Sequence, residues 1–405
     1  MGAGAYPQAV PSTRHIPAHP GELSPEWVTT AMRAAGTIGS DVEVVGLRLD
    51  ELGNGGVGLS GETVRVTLTY RGTDDALAGL PESVIAKFPT REAANRGMIE
   101  TYDCYAREIH FYRDLAAEVP LRIPRHYGSD FDPARFRRAN DAAARMVDRL
   151  PTRAHLALTR DVTKFMRPTK RRYALLLEDM GPSMTVHDLV DPPPRARLEQ
   201  ILDALAELHA TFWGRHDLAD HPVSRPLVST MPGTFVNVMR ARNKPLAEQR
   251  WADWLTPADV AMFDTAGDRF VADLATVNTP MTFVHGDPRS DNILFDGGDP
   301  ILLDWAQPGF AHPGFDVGYV LGSSLRIAES SDIGALVARY GDRLSERGVD
   351  LDPAVLAAGI GAAARSMIVQ QLNSLTVLIG DYGEAGLPTD IWTPRLLAVA
   401  HAYQD

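Results

Sequence analysis

Four polar residues lie between two apolar runs in the stretch FVHGDPRSDNILFDGGDPILLDW, residues 283–305. They are His285, Asp287, Asn292 and Asp304. The apolar runs are strand-like and are separated by a strong turn signal, which predicts an antiparallel hairpin with its turn near Gly298. Such a hairpin puts Asn292 beside Asp304, and the loop that carries Asp287 leads to the same end of the sheet. Three oxygen-bearing side chains that converge in this way suit a hard divalent cation.

A second candidate site combines a glycine-rich segment, a strand lysine and a helix glutamate. The segment LGNGGVGLSGE, residues 52–62, can turn sharply and present backbone amides to an anion through Gly53, Gly55, Gly56, Gly58 and Gly61. Lys87 lies between apolar residues in the strand-like run SVIAKF, where a lysine needs a partner. Glu108 is the expected partner and Glu100 the competing carboxylate. The combination predicts a phosphate-binding site more specifically than the glycines alone.

The elements that must position these residues follow from periodicity and from capping residues. Ser24 caps a helix that is predicted to end near Ala35, and a long helix is predicted over Asn95–Glu118. A buried strand in RRYALLLEDMGP ends in a polar turn at Glu178–Pro182, and His209 is expected to be a hydrogen-bonded core histidine. The other predicted elements are strands over Val42–Leu49, Thr63–Tyr70 and Ser83–Phe88, a helix over Arg195–Trp213 and a mostly helical region from Pro313 onward.

Length and composition bound the possible function classes. The 405 residues, 44% of them hydrophobic, predict two lobes with substantial cores. The net charge of -12 argues against general nucleic-acid binding, and no apolar run appears long enough to span a membrane. Cys104 is the single cysteine, so no internal disulfide is possible and a cytoplasmic location is expected.

These motifs in this order resemble the kinase-like small-molecule phosphotransferases, the group of aminoglycoside phosphotransferases and choline kinases with its ecdysteroid-kinase-like and hydroxyacyl-CoA kinase-like members. The resemblance rests on HGDPRSDNILF, LLDWAQPG, FDVGYVLG and LAELHATFW and covers roughly residues 42–325. It implies an α+β, two-lobed protein-kinase-like fold with a small antiparallel sheet lobe and a larger helical lobe. The expected division is a lead-in over 1–22, a nucleotide-binding lobe over 23–179 and a catalytic lobe over 180–405.

The resemblance also implies residue roles in an ATP- and Mg²⁺-dependent transfer of phosphate to a hydroxyl of a small molecule. Asp287 would accept the hydroxyl proton, and Asn292 and Asp304 would bind Mg²⁺. Lys87, paired with Glu108, would bind phosphates together with Gly53, Gly55, Gly56 and Gly58. The backbone from Glu178 to Met180 would contact adenine. His285 and Asp316 would support the catalytic loop, and Arg289 would contact ligand or form a salt bridge within the loop.

Several alternatives stay open at this stage. Trp305 follows the metal aspartate, and no activation segment is recognisable, which disfavours a protein substrate. A basic insertion over 135–172 would suit an anionic acceptor such as a hydroxyacyl-CoA, whereas scattered carboxylates after residue 325 disfavour a polycation. A nucleotide-binding regulator without transfer activity and a nucleic-acid-binding module are the other two readings. The acceptor's identity, ATP against GTP and the oligomeric state are left undetermined.

Overall fold

The computed structural model describes residues 15–52, 61–133, 154, 168–218, 221–224, 233–382 and 388–403. Gly53, Gly55, Gly56 and Gly58 lie outside the described residues, as does most of the basic insertion. The chain divides into two compact units. Among the described residues the first unit comprises 15–115, with a gap at 53–60, together with 124–133 and 168–182, and the second takes 116–123 and the region from 183 onward.

The first unit contains a five-stranded antiparallel sheet with the order β1-β2-β3-β5-β4. Its strands are β1 Glu43–Glu51, β2 Gly61–Arg71, β3 Ser83–Pro89, β4 His126–Phe131 and β5 Tyr173–Glu178. Buried positions alternate along β2 and β3, which is typical of a sheet with one face packed on a core. Val66, Val84, Ala86 and Leu176 from this sheet pack with Met32 in the core of the unit. The predicted strands are confirmed with small shifts at their ends.

Helix α1, Pro25–Ala34, packs on this sheet. Ser24 is its N-cap, and its side chain accepts a hydrogen bond from the backbone N–H of Trp27, as the sequence predicted. A short helix α2, Asp74–Leu77, lies between β2 and β3. Strand β3 leads to the segment that the sequence predicted as one helix over Asn95–Glu118.

That single-helix prediction is wrong, because the segment consists of several shorter pieces. Helix α3 covers Ala93–Thr101 and helix α4 covers Cys104–His110, with Asp103 between them in the left-handed conformation at φ 57°. A π-helical turn over Phe111–Leu115 and a 3₁₀ turn over Ala116–Glu118 complete the segment. Periodicity predicted the buried face but not the break, since an aspartate can adopt the left-handed conformation without a glycine signal.

The second unit is mainly helical, as predicted. Its helices are α5 Arg195–Thr211, α6 Gly233–Arg250, α7 Pro257–Asp264, α8 Ala266–Val277, α9 Gly314–Ser324, α10 Ile333–Glu346, α11 Pro353–Tyr382 and α12 Pro388–Ala402. Two small sheets accompany them: β6 Thr185–Val186 with the hairpin β8 Ile293–Asp296 and β9 Asp299–Leu302, and β7 Thr282–Val284 with β10 Gly309–Ala311. The predicted α+β class and the hairpin are thus confirmed.

Helix α11 contains an apolar stretch, Pro353–Asn373, of 21 residues that is long enough to cross a membrane by length and composition alone. The prediction that no apolar run is long enough to span a membrane is wrong for this helix. Glutamine, serine and arginine residues interrupt its apolar residues, but the mean hydropathy is still 1.3. In the structure 78% of an 18-residue window within this stretch is buried. Helix α11 packs against α8, α9 and α12 within the second unit.

Candidate active site

The β8–β9 hairpin brings Asn292 and Asp304 to the same end of a sheet. Ile293 pairs with Leu302, and one position further out the backbone N–H of Leu303 donates to the carbonyl of Asn292 at 2.8 Å. Asp304 follows directly and has a left-handed backbone with φ 57°. A non-glycine residue held in this region is uncommon and marks a position whose surroundings fix the backbone.

Asp287 lies in the loop that leads into this hairpin. The Nδ2 atom of Asn292 donates to the backbone carbonyl of Asp287 at 2.9 Å. This bond fixes the amide of Asn292, so that its oxygen is the atom available to a cation. The loop and the hairpin end are thereby joined by a direct contact.

Asp316, at the start of α9, holds the loop from the other side. Its carboxylate is fully buried and accepts hydrogen bonds from the backbone N–H groups of His285 at 2.7 Å and Gly286 at 2.9 Å. The Nε2 atom of His209 lies 3.2 Å from the same carboxylate, and Nδ1 of His209 lies 2.7 Å from the hydroxyl of Tyr340. His209 is therefore the hydrogen-bonded core histidine that the sequence predicted.

His285 braces the loop and is itself buried. Its Nε2 atom donates to the carbonyl of Leu303 at 2.8 Å, and its Nδ1 atom accepts from the backbone N–H of Asp287 at 3.2 Å. Burial lowers the pKa of His285, so the neutral imidazole that these two bonds require is the stable form at neutral pH. The ring of Trp305 lies 4.4 Å from that of His285, and the fully buried indole fills the space beneath the loop.

Asp287 is only 7% exposed and is surrounded by other ionisable groups. Burial raises its pKa to about 6, the Arg289 guanidinium opposes this rise, and the nearby Asp304 carboxylate adds to it. The Nε atom of Arg289 lies 3.3 Å from carboxylate oxygens of both Asp287 and Asp291. Arg289 thus forms salt bridges within the loop, one of the two possibilities expected from the sequence.

Two residues near Asp287 were missed by sequence reasoning. The hydroxyl of Tyr319 is close enough to Asp287 to lower the pKa of that carboxyl, although burial dominates. The Arg289 guanidinium lies 5.8 Å from the ring centre of Trp392, and the Tyr319 and Trp392 rings are 6.1 Å apart. Tyr319 had a signal in the sequence, since it lies one helical turn after Asp316 and therefore on the same face of α9. Trp392 had none, because it lies far along the chain on α12.

In the first unit Lys87 and Glu108 form an ion pair. The Nζ atom of Lys87 lies 2.5 Å from Oε1 of Glu108, and the Glu108 side chain is buried. The competing Glu100 instead contacts Arg96 at 3.1 Å and accepts from the backbone N–H of Thr169 at 2.6 Å. The structure therefore assigns the two glutamates to different partners.

The segment after β5 contains the residues predicted to contact adenine. The backbone N–H of Glu178 donates to the carbonyl of Arg125 at 2.9 Å, so this N–H is engaged within the first unit. Met180 lies beyond the end of β5. Between them Asp179 forms a salt bridge with Arg65 at 2.5 Å and accepts from the Ser83 hydroxyl at 2.7 Å, which holds the segment on the sheet.

Two described arginines of the basic insertion are engaged within the first unit. Arg171 contacts Asp103 at 3.1 Å and donates to the carbonyl of Asp132 at 3.0 Å. Arg172 contacts Glu22 at 3.0 Å and donates to the carbonyl of Ile16 at 2.7 Å. These two guanidinium groups support the fold.

The donor set of the hairpin end fits a magnesium ion by its chemistry. Asn292 supplies an amide oxygen and Asp304 a carboxylate, and both are hard ligands of the kind that Mg²⁺ prefers. Among the described residues no group of three or more His, Cys, Asp or Glu side chains is placed to hold a metal. A carboxylate with a pKa near 6 beside these ligands can accept a proton from a hydroxyl at neutral pH.

Comparisons with known proteins identify a matching family. A model described as APH, phosphotransferase enzyme family, matches residues 94–351, more than half of the chain. A search of curated proteins found no match.

Solved structures give 129 matching chains. Choline kinase LicA from Streptococcus pneumoniae is 12% identical with a TM-score of 0.43, covering 89% of this chain and 94% of its own. Plasmodium vivax ethanolamine kinase is 12% identical with a TM-score of 0.41, and the match covers 87% of this chain and 81% of the kinase. Macrolide 2'-phosphotransferase MphH from Brachybacterium faecium is 15% identical with a TM-score of 0.40, and the match covers 90% of this chain and 94% of MphH.

The family match confirms the recognised family, the kinase-like fold class and the predicted enzyme class, a small-molecule kinase with a hydroxyl acceptor. The loop from His285 to Asp291, the hairpin and helix α9 all lie inside the matched range. The chain belongs to the phosphotransferase enzyme family.

Proposed function

We propose that this enzyme transfers the terminal phosphate of ATP, bound with Mg²⁺, to a hydroxyl group of a small molecule. The proposal rests on the burial of Asp287 and on the raised pKa of its carboxyl group. This carboxylate is buried, has a pKa raised to about 6 and is joined through its backbone to Asn292. A base that is ionised at neutral pH and still able to accept a proton is what the transfer requires.

Asp287 orients the acceptor hydroxyl and accepts its proton as the oxygen attacks phosphorus. Phosphoryl transfer needs little covalent chemistry from the protein, so positioning and charge neutralisation supply most of the acceleration. Asn292 and Asp304 would hold Mg²⁺, which neutralises phosphate charge when it is bound. Asp316 and His285 keep the loop in place and do not contact the reacting atoms.

Lys87 supplies the cationic group for the inner phosphates, and Glu108 holds its ammonium in position. The backbone from Glu178 to Met180 supplies the proposed contacts to adenine. The glycine segment that the sequence predicted for phosphate binding, with Gly53, Gly55, Gly56 and Gly58, lies outside the described residues and stays a prediction.

Isothermal titration of ATP with and without Mg²⁺, on the parent and on Asp304→Asn, tests the metal role. Asparagine tolerates the left-handed backbone at φ 57°, so this variant removes the charge without the strain that alanine would add. Asp296→Asn is the matched control, because Asp296 is exposed at the opposite end of the same hairpin. We expect Mg²⁺-dependent binding in the parent and the control, and weaker binding with little Mg²⁺ dependence in Asp304→Asn.

Two outcomes would contradict the proposal. Equal ATP affinity with and without Mg²⁺ in all three proteins would remove Asp304 from the metal site. ATP binding with no ADP production, over a broad set of hydroxylated acceptors, would favour the nucleotide-binding regulator instead. In an active parent, Asp287→Asn should lower kcat by roughly 100- to 10,000-fold.

A further inference from the structure

The second unit contains a cavity of about 190 Å³ beside the loop that carries Asp287. Gly286, the residue directly before Asp287, is part of its wall. Tyr319, whose hydroxyl acts on the Asp287 carboxyl, also lines it. The cavity therefore lies next to the proposed base, within a single unit.

The side chains that line the cavity are of two kinds. Three aromatic rings and three primary amides dominate: Phe315, Tyr319, Trp392, Gln307, Gln370 and Gln371. An aromatic face packs well against the C–H face of a saturated ring. A primary amide both donates and accepts hydrogen bonds, so it suits a ligand whose neighbouring hydroxyls do the same.

Two donors in this wall have no hydrogen-bond partner within the described part of the chain. Gln371 is 7% exposed, and its Oε1 atom accepts from the Thr393 hydroxyl at 2.9 Å, whereas its Nε2 atom is buried and unsatisfied. The indole Nε1 atom of Trp392 is likewise buried and unsatisfied. Because a buried unpaired donor costs about 1–3 kcal/mol, these two groups point to a ligand with oxygen acceptors.

The wall carries no formal charge. None of the residues that line the cavity has a carboxylate, ammonium or guanidinium group. The neighbouring Arg289 and Asp287 form a salt bridge with each other. A cationic or anionic ligand would lose its hydration here without gaining a counter-charge from the wall.

The volume sets the size of what can enter. A dry cavity of about 150 Å³ accommodates benzene, so a volume of 190 Å³ has room for one six-membered ring with small substituents. It does not have room for several linked rings. The part of the acceptor that enters is therefore a single ring.

We infer that the acceptor presents a neutral, polyhydroxylated single ring, such as a sugar or a cyclitol ring, to the aromatic and amide wall of this cavity. This inference rests on the proposed function, because that function places the reacting hydroxyl at Asp287. It excludes aminated and carboxylated rings as preferred acceptors. It also assigns Gln371 and Trp392 as specificity-determining residues.

Ligand-observed saturation-transfer NMR, without nucleotide, tests the ligand class directly. The probes are neutral monosaccharides and cyclitols, each matched with an aminated and a carboxylated counterpart of the same ring size, for example glucose, glucosamine and glucuronate. We expect transfer to at least one neutral ring that exceeds the transfer to both of its charged counterparts. Equal or stronger transfer to the charged counterparts, or no transfer to any neutral ring, would overturn the inference.

Two variants test the assigned wall. Gln371→Leu removes the unsatisfied donor, and Trp392→Phe removes the indole N–H but keeps an aromatic ring. Each should weaken binding of the neutral ring about three- to tenfold, the loss expected for one hydrogen bond. Gln249→Leu, an exposed glutamine on α6, is the control and should bind like the parent. Unchanged affinity in both wall variants would overturn the assignment of the cavity.

Measuring ADP release with the same probes and ATP separates the two proposals. Binding of a neutral ring without ADP release would leave the ligand class intact and contradict the proposed transfer. ADP release that only charged rings stimulate would support transfer and overturn the neutral class. Release stimulated by the neutral ring that binds would support both.

Discussion

At the scale of single residues, Asp287 owes its chemistry to burial. An aspartate in water is fully ionised at neutral pH and is a weak base, with an ordinary pKa of 3.8. Burial raises that pKa, and the salt bridge to Arg289 limits the rise. The balance leaves a carboxylate that is ionised near pH 7 but more basic than an exposed one.

This balance predicts a pH-dependent stability. The folded protein binds the Asp287 proton more tightly than the unfolded chain, so ionisation of Asp287 costs stability as pH rises from about 4 to above 6. The difference between 3.8 and about 6 corresponds to about 3 kcal/mol at full ionisation. In metal-free protein without nucleotide, Asp287→Asn should therefore have a Tm above that of the parent at pH 7 and close to it at pH 4.

Thermal unfolding from pH 4 to pH 8 in the presence of a chelator measures this difference. Asp268→Asn is a suitable control, because Asp268 is an exposed residue on α8. A Tm difference between Asp287→Asn and the parent that does not change with pH would show that burial does not raise the pKa of Asp287.

At the scale of elements, the start of α9 acts as a clamp for the loop. The Asp316 carboxylate satisfies two buried backbone N–H groups that belong to neither a helix nor a strand pair. The His285 ring cannot take over this role, since it is already committed to Leu303 and Asp287. Loop geometry therefore depends in part on one side chain from a separate helix.

Asp316→Ala should lower the free energy of unfolding by about 2–6 kcal/mol. The reason is that two buried N–H donors lose their acceptor, at about 1–3 kcal/mol each. Asp342→Ala, which changes an exposed aspartate on α10, should cost less than about 0.5 kcal/mol. Urea unfolding of both variants makes the comparison, and equal losses would refute the clamp.

The position of α9 depends in turn on close packing against α11. A Cβ atom added at Gly314 would lie 2.7 Å from backbone atoms of Gly359 and Ile360, which is closer than a real contact allows. Gly314→Ala should therefore push the helices apart, destabilise the protein and lower kcat, because Asp316 and Tyr319 move with α9.

Gly341→Ala is the matched control for this variant. Gly341 lies inside α10 with only one atom, at 4.0 Å, near the added Cβ, so alanine should raise stability by about 0.5–1 kcal/mol through its helix propensity. Thermal unfolding and activity of the two variants test the packing. A stable and fully active Gly314→Ala would contradict it.

At the scale of the whole molecule, a bound nucleotide should stabilise the folded protein against unfolding, because only the folded state binds it. At a concentration 100 times its Kd, Mg²⁺-ATP should stabilise the parent by about 2.7 kcal/mol. Lys87→Met should lose most of this ligand-induced rise in Tm, because the cation proposed to bind the phosphates is gone.

The rise in Tm on adding Mg²⁺-ATP is the quantity to compare, since Lys87→Met also leaves the buried Glu108 without its cation and lowers the Tm of the free protein. Lys170→Met, an exposed lysine, should keep the full rise. A full rise in Lys87→Met would remove Lys87 from the nucleotide site. The cytoplasmic location stays a prediction.

The amino-acid sequence by itself determined what depends on local pattern. Alternating apolar residues predicted the strands, the turn at Gly298 predicted the hairpin, and the hairpin register predicted that Asn292 and Asp304 would share one end. The sequence also predicted Glu108, and not Glu100, as the partner of Lys87. Lys87 and Glu108 both belong to regular elements, a strand and a helix.

Tertiary structure decided what depends on residues far apart in the chain. The raised pKa of Asp287 follows from burial, which no local pattern reports. The break at Asp103 lies where Arg171, 68 residues further along the chain, binds its carboxylate. Likewise, the cavity wall joins Tyr319 and Gln371 with Trp392, and only the packing of three helices brings these side chains together, because contact between distant segments is fixed by the whole core.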